Sequence, residues 1–157
     1  MKIHFYAIGR AHELYVRPGV EDFTKRIARY YPIDWKIIVH PKNAAVLQEA
    51  ELKQKEAASL FDFLKKDDFL VALDETGKSM SSPALAAFLQ AKANESVKQL
   101  IFLIGGAYGL HESVIQRANY IWSLSKLTFP HQLVRLILAE QVYRACTILR
   151  NEKYHHA

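Results

Sequence analysis

Two short, nearly unbroken apolar runs constrain this chain more than any other feature. Phe69–Asp74 reads FLVALD and Leu100–Ile104 reads LIFLI. Runs of this length and composition suit strands buried on both faces, which occur in parallel sheets covered by helices on either side. The flanking pattern agrees. Ile3–Ile8 (IHFYAI), Trp35–His40 (WKIIVH) and Tyr120–Leu124 (YIWSL) read as three further strands. Helical segments alternate with them: Gly19–Tyr31, with Val20, Phe23, Ile27 and Tyr30 three and four residues apart; Ala44–Lys66, with Leu47, Leu52, Leu60, Phe61 and Leu64 on its apolar side; a helix N-capped by Ser82 with Pro83 at its first position; His111–Ala118; and His131–Arg150. The alternation predicts an α/β fold: a single domain over residues 1–157 with a mostly parallel sheet flanked by helices.

Composition narrows the function classes. The longest apolar run, Leu100–Ala107, is far shorter than the roughly 20 residues a membrane helix needs. The N-terminal residues have no apolar signal core, so a cytoplasmic protein with no membrane association is expected. One cysteine, Cys146, excludes an internal disulfide and a cysteine-rich zinc site. The seven histidines show no metal-ligand spacing, and no metal is expected. The net charge of +5 is segregated: residues 1–42 carry eight bases and four acids, residues 43–75 four and eight, and residues 76–157 nine and four. Two basic segments around an acidic one suit a polyanion-facing surface with a solvated back, although +5 alone also serves solubility.

Ligands of open α/β sheets bind beyond the carboxyl ends of the strands. Three such ends carry unusual residues: Leu73-Asp74-Glu75-Thr76-Gly77-Lys78-Ser79, Ile104-Gly105-Gly106-Ala107-Tyr108-Gly109-Leu110, and Leu124-Ser125-Lys126-Leu127-Thr128-Phe129-Pro130-His131. Gly105, Gly106 and Gly109 are half of the six glycines, and they follow a strand without forming a dinucleotide fingerprint or a P-loop. A lone glycine pair would be a tight turn. Three loaded ends together point to a nucleoside-type ligand held by backbone groups, with Leu127 and Phe129 suiting an adenine ring. His131 and, one turn on, Arg135 could bind phosphate or only cap structure. The last helix is apolar nearly all round, with Leu138, Val142 and Ala145 on one side and Leu133, Leu136, Ile137 and Ile148 on the other, which predicts packing against a second copy in a homodimer.

IGGAYGL, SLSKLTFPHQLVRLILAEQVYRA and the terminal KYHH closely resemble the ribosomal RNA large subunit methyltransferase H family, of the SPOUT class, over essentially the whole chain. The resemblance implies a C-terminal trefoil knot, an obligate homodimer, and S-adenosylmethionine-dependent methylation of nitrogen 3 of a pseudouridine in the helix 69 hairpin of 23S rRNA on assembled ribosomes. It implies a cofactor site of Leu73, Gly105, Leu124, Ser125, Lys126, Leu127, Thr128 and Phe129. It also makes Tyr154, His155, His131 and Arg135 the candidate catalytic residues, with the tail crossing to the other subunit's cofactor and Glu140 ordering the knot or interface with Arg144. The family tail usually continues with Arg or Lys where this chain has His156, which makes the positive charge there pH-dependent. A SPOUT enzyme acting on tRNA and a non-catalytic ribosome-binding module are the alternatives.

Overall fold

The computed structural model describes residues 1–156. Among them β1 (Lys2–Gly9), β2 (Ile33–Val39), β3 (Phe69–Lys78), β4 (Gln99–Ile104) and β5 (Tyr120–Trp122) form one sheet in the order β2-β1-β4-β3-β5, with every strand pairing parallel. The helices are α1 (Arg17–Ile27), α2 (Glu49–Phe61), α3 (Ser82–Asn94), α4 (Glu112–Arg117) and α5 (His131–Leu149).

Alternation along the strands sorts the core into two layers. Ile3, Phe5, Ala7, Val71, Leu100, Phe102 and Ile104 face α1, α3 and α5, where Ile27, Leu85, Leu89, Leu138, Val142 and Ala145 cover them. Tyr6, Ile8, Leu70, Ala72, Ile101 and Leu103 face α2 and α4, under Ala57, Leu60 and Val114. Both faces are therefore dry, which is why these strands read as apolar runs rather than alternating ones. The connections share one hand. The moves β1 to β2 and β3 to β4 go one way along the sheet by α1 and α3 on one face. The moves β2 to β3 and β4 to β5 go the other way by α2 and α4 on the opposite face. All five carboxyl ends consequently meet at one edge.

Several boundaries differ from the sequence reading. Residues 44–66 are not one helix: a 3₁₀ turn at Ala44–Val46 is followed by extended backbone at Leu47 and Gln48, and α2 starts only at Glu49 and ends at Phe61. Leu52 and Leu60 reach the core, whereas Phe61 stays exposed. The next difference concerns residues 75–78, which follow the strand Phe69–Asp74 of the sequence reading. They continue β3 past a bulge, and Lys78 pairs with Trp122. At α3 the N-cap is Ser81 rather than Ser82, its side chain accepting from Ala84 N at 3.2 Å. Strand β5 stops at Trp122, which leaves Ser123 and Leu124 free to turn into the following loop.

Two close approaches depend on glycine. At Gly19 a Cβ would lie 2.7 Å from Leu136 Cδ1, so α1 seats against α5 there. At Gly77 it would lie 2.5 Å from the Ile121 carbonyl oxygen and 2.7 Å from Trp122 N, atoms that belong to the backbone and cannot rotate away. Gly77→Ala should force β3 and β5 apart and cost roughly 1–3 kcal/mol, as overpacking does. A urea denaturation midpoint equal to that of the wild type would contradict this close packing.

Candidate functional site

At the carboxyl edge of β3, β4 and β5 lies a cavity of about 510 Å³. Its walls come from the three loaded strand ends, residues 73–76, 104–110, 123–125 and 127–129, with His131 and Val134 from α5 and Lys53 from α2. The residues between β4 and α4 close as a tight turn: Gly109 N donates to Gly106 O at 3.1 Å, and Gly109 adopts φ +82°, which favours glycine. The turn leaves Tyr108 exposed at the cavity. The residues after β5 hold a fixed shape through short-range bonds. Ser123 N donates to Lys78 O at 2.9 Å, the Ser123 hydroxyl to Ser125 O at 3.2 Å, and Leu127 N to the Ser125 hydroxyl at 3.0 Å. Asp74 Oδ2 accepts from Thr76 N at 3.0 Å and from the Thr76 hydroxyl.

Seven of the eight candidate cofactor residues line this cavity: Leu73, Gly105, Leu124, Ser125, Leu127, Thr128 and Phe129. Lys126 does not; it lies between them with its side chain in solvent. Within residues 123–129 only this one position turns away from the cavity, which the sequence alone could not single out. The sequence reading also missed Ser123 and Val134, which flank the third loaded end, and Lys53, whose neighbours in the wall are all distant along the chain.

A charged cluster adjoins the cavity at the ends of β1 and β2. Arg135 is fully buried. Its Nη1 donates to Arg10 O at 2.8 Å and to His12 Nδ1 at 3.2 Å, while Nε and Nη2 have no hydrogen-bond partner among the described residues. His40 Nδ1 lies 3.1 Å from Glu56 Oε1, and Glu56 is itself buried, its carboxylate packed behind Gly106, where a Cβ would lie 3.2 Å from both oxygens. Burial raises the Glu56 pKa, with His40 opposing the rise. Burial also lowers the pKa values of His12 and His131, and the Arg135 charge lowers both further. Nothing in the sequence marks this cluster. Glu56 belongs to the acidic stretch that reads as a solvated back, and only tertiary packing draws it inward. Cys146 is buried and its thiol is pushed up to about 12, mainly by desolvation, which leaves it a packing residue.

The four candidate catalytic residues do not form one site within the chain. His131 lines the cavity and Arg135 lies one turn on. Tyr154 and His155 fold back onto the middle of α5: the Tyr154 hydroxyl donates to Glu140 Oε1 at 3.1 Å, Arg144 Nε donates to the same oxygen at 3.0 Å, and His155 Nδ1 is 3.5 Å from Arg144 Nη1. Glu140 is nine residues beyond His131, hence roughly 14 Å further along the helix and on its opposite side. The Glu140–Arg144 pairing is as the sequence suggested. Tyr30 anchors the tail from α1's side through a 2.6 Å bond to Glu152 Oε2.

Comparison with known proteins gives a consistent picture. The family model described as "Predicted SPOUT methyltransferase" matches residues 1–155. A protein of Cytophaga hutchinsonii named ribosomal RNA large subunit methyltransferase H is 43% identical over 156 residues, covering 99% of this chain and 100% of its own. Proteins of the same name from Flavobacterium johnsoniae and Geobacter metallireducens are 44% and 42% identical, with at least 99% of each chain covered. Among solved structures, a probable methyltransferase from Bordetella pertussis shares 12% identity with a TM-score of 0.55, covering 92% of this chain and 96% of its own. A probable methylase family protein from Haemophilus influenzae shares 10% identity with a TM-score of 0.55, covering 99% of this chain and 70% of its own. At these identities the two structures speak for the fold alone.

The depressed histidines make a testable statement about pH. Both stay neutral in the folded chain at values where an unfolded histidine, with an ordinary pKa of 6.5, begins to bind a proton. Protons therefore favour the unfolded state, and stability present at neutral pH is lost as pH falls below that value toward the folded ones. His131→Gln should remove part of the loss that sets in as pH falls below 6.5. Parallel urea-midpoint profiles for the variant and the wild type would show that His131 is not desolvated as described.

Proposed function

This chain belongs to the SPOUT methyltransferase family, in the group named ribosomal RNA large subunit methyltransferase H, and on that premise we propose that it methylates nitrogen 3 of a pseudouridine in the helix 69 hairpin of 23S rRNA, on assembled ribosomes, using S-adenosylmethionine. The observation that carries this reading is the cavity. Loops that read as ligand-bearing from sequence converge on one space of about 510 Å³ at the carboxyl edge of the sheet, within the roughly 300–1,000 Å³ of small-ligand pockets.

The residues present fit the cofactor. Leu73, Leu124, Leu127 and Phe129 supply apolar wall for an adenine ring, the 123–128 backbone supplies donors and acceptors, and Gly105 lets the 106–110 turn close against it to shape the wall. Asp74 and Glu75 place carboxylates at the same cavity, where a cationic ligand is favoured. When bound, S-adenosylmethionine supplies an electrophilic methyl group on a sulfonium sulfur.

The chain's own work is then to orient the acceptor and remove its proton. An imide nitrogen is protonated at neutral pH, so a nearby base assists. His131 lines the cavity and is kept neutral by burial and by Arg135, which leaves a ring nitrogen able to accept that proton. No covalent nucleophile is required, and fixed geometry contributes the rest.

The reading includes a homodimer of one-domain chains, with Tyr154 and His155 of one copy completing the cavity of the other. Its support is that the tail lies away from its own cavity, while Leu133, Leu136, Ile137 and Ile148 of α5 are only half-buried. It also includes a C-terminal trefoil knot, supported by the course of the chain from edge strand β5 through residues 123–130 to α5, which packs against both α1 and α3. The ribosome as substrate implies a cytoplasmic setting. No helix among the described residues is long and apolar enough to cross a membrane.

Mass mapping of 23S rRNA and tRNA from a strain lacking the gene, with and without this chain restored, should show one methyl returned to a helix 69 pseudouridine. Gly105→Val, whose Cβ alone would lie 3.1 Å from Leu110 Cδ2 and 3.2 Å from the Gly109 carbonyl carbon and so push the 106–110 turn out of place, should weaken S-adenosylmethionine binding at least tenfold by calorimetry. A methyl restored only to tRNA, or a wild-type chain that binds no cofactor, would overturn the reading.

A further inference from the structure

The first half of the chain brings polar groups to the same edge of the sheet, and the cavity does not use most of them. At their centre is Arg135. Its guanidinium is fully buried, and no carboxylate among the described residues forms an ion pair with it. A cation taken out of water without an anion is costly. Its two hydrogen bonds, to Arg10 O and His12 Nδ1, both use Nη1 and both go to neutral acceptors, so any neutral donor of similar reach would serve that purpose. The other face of the fork, Nε and Nη2, has no partner.

The Nη2 end of that face lies beside Gly9. A Cβ on Gly9 would lie 3.6 Å from Arg135 Nη2 and 3.5 Å from His40 Nε2, so both nitrogens look toward one point where the chain has no side chain. Glu56 holds the opposite ring nitrogen of His40 and thereby sets the ring's direction. Arg10 follows Gly9, Arg17 donates to His12 O at 3.0 Å and Lys42 is two residues from His40; all three are exposed, as is Glu13, whose charge acts on Arg135, and Lys53 lines the adjoining cavity. An unpartnered guanidinium N–H beside an imidazole, among more bases than acids, is a donor set that recognises a phosphate oxyanion.

We propose that Arg135, His40 and the backbone at Gly9 form a subsite for a phosphodiester of the RNA substrate, next to the cofactor cavity and separate from it. The inference rests on the RNA-substrate reading above and deepens it. A water molecule would not compensate the charge. The cofactor's carboxylate fits less well, because Arg135 is absent from the cavity wall that His131, one turn earlier, forms.

The subsite is covered in the unbound chain by residues 10–13. Gln132 clasps this segment, accepting from Glu13 N at 3.0 Å and donating to Ala11 O at 3.2 Å, while Arg135 holds Arg10 O. Irregular backbone held by a few side-chain bonds can be displaced by charge-assisted bonds to phosphate. The next residues, Leu14 and Tyr15, are 79% and 60% exposed. Nucleic acid can engage them as it lifts the cover, a base stacking on Tyr15.

The test uses the full chain with Arg135→Met, a near-isosteric side chain without the charge, and ribosomes from the strain lacking the gene. We expect an unchanged or higher melting temperature, cofactor affinity within about twofold, and ribosome affinity at least tenfold weaker. The slope of log affinity against log salt should also be shallower by about 0.7–0.9, one phosphate contact fewer. A variant that loses stability, cofactor binding and ribosome binding together would make Arg135 structural. One that loses cofactor binding alone would assign the anion to the cofactor. Either result, or an unchanged salt slope, overturns the subsite. Should Arg135→Met fail to fold, His40→Asn decides, since its amide can keep the bond to Glu56 but loses Nε2. It should weaken ribosome binding and spare the cofactor, and equal ribosome affinity would refute the proposal. A wild-type chain that does not bind ribosomes would instead fail the RNA reading itself.

Discussion

Burial of the sheet on both faces is the constraint from which the rest of this structure follows. A parallel sheet cannot leave one side wet, because its crossover connections place helices on both. Once Ile3, Phe5 and Ala7 are turned toward α1, α3 and α5, Tyr6 and Ile8 must be covered by the α2 side. The uniform hand of the crossovers then sends every carboxyl end to one edge. The loops gathered there are free of packing duties on the sheet, and their residues can be chosen for a ligand.

That freedom is bounded by close approaches. Strand β3 carries its pairing past the cavity wall to Lys78 only because Gly77 lets its backbone lie against that of β5. On the helical side, α5 is seated by Gly19 on α1 and by the hydrogen bond from Ser82 to Gln141 on α3. The position of His131 and Arg135 is thus set by contacts with both neighbouring helices, which is how a helix presents functional groups with little play.

The strands and the cavity were legible in the sequence, and for one reason: both are local. FLVALD and LIFLI announce burial on two faces in a few residues, and the three loaded strand ends are contiguous segments. What escaped reading is what depends on partners distant in sequence. The break at Leu47 and Gln48 leaves no local signature in an otherwise helix-compatible stretch. Residues 75–78 look like a loop because their strand character comes from β5, more than forty residues away. Glu56 and His40 are ordinary surface residues by pattern, and their meeting behind Gly106 is decided by where α2 lands on β2. Similarly, Lys126 is indistinguishable from its neighbours until the loop shows which side chains turn inward.

The start and the middle of α5 sharpen what a complete site requires. The start puts a neutral imidazole at the cavity and a buried cation beside it, and the middle, with the tail folded back on it, gathers Glu140, Arg144, Tyr154 and His155 into a separate network. In that network Tyr154 stacks edge-on against Tyr143 at 4.7 Å while Arg144 lies 4.7 Å over the Tyr154 ring, so the tail is packed rather than loose. A helix is stiff over this length, so His131 and Glu140 stay roughly 14 Å apart. In the proposed dimer the link between the two groups comes from a second copy, with the rigidity of α5 fixing the spacing. The half-buried apolar residues of α5 are suited to that pairing, because burying them would hold two rigid rods at a fixed angle. The network around Glu140 would then set where each tail points before any RNA arrives.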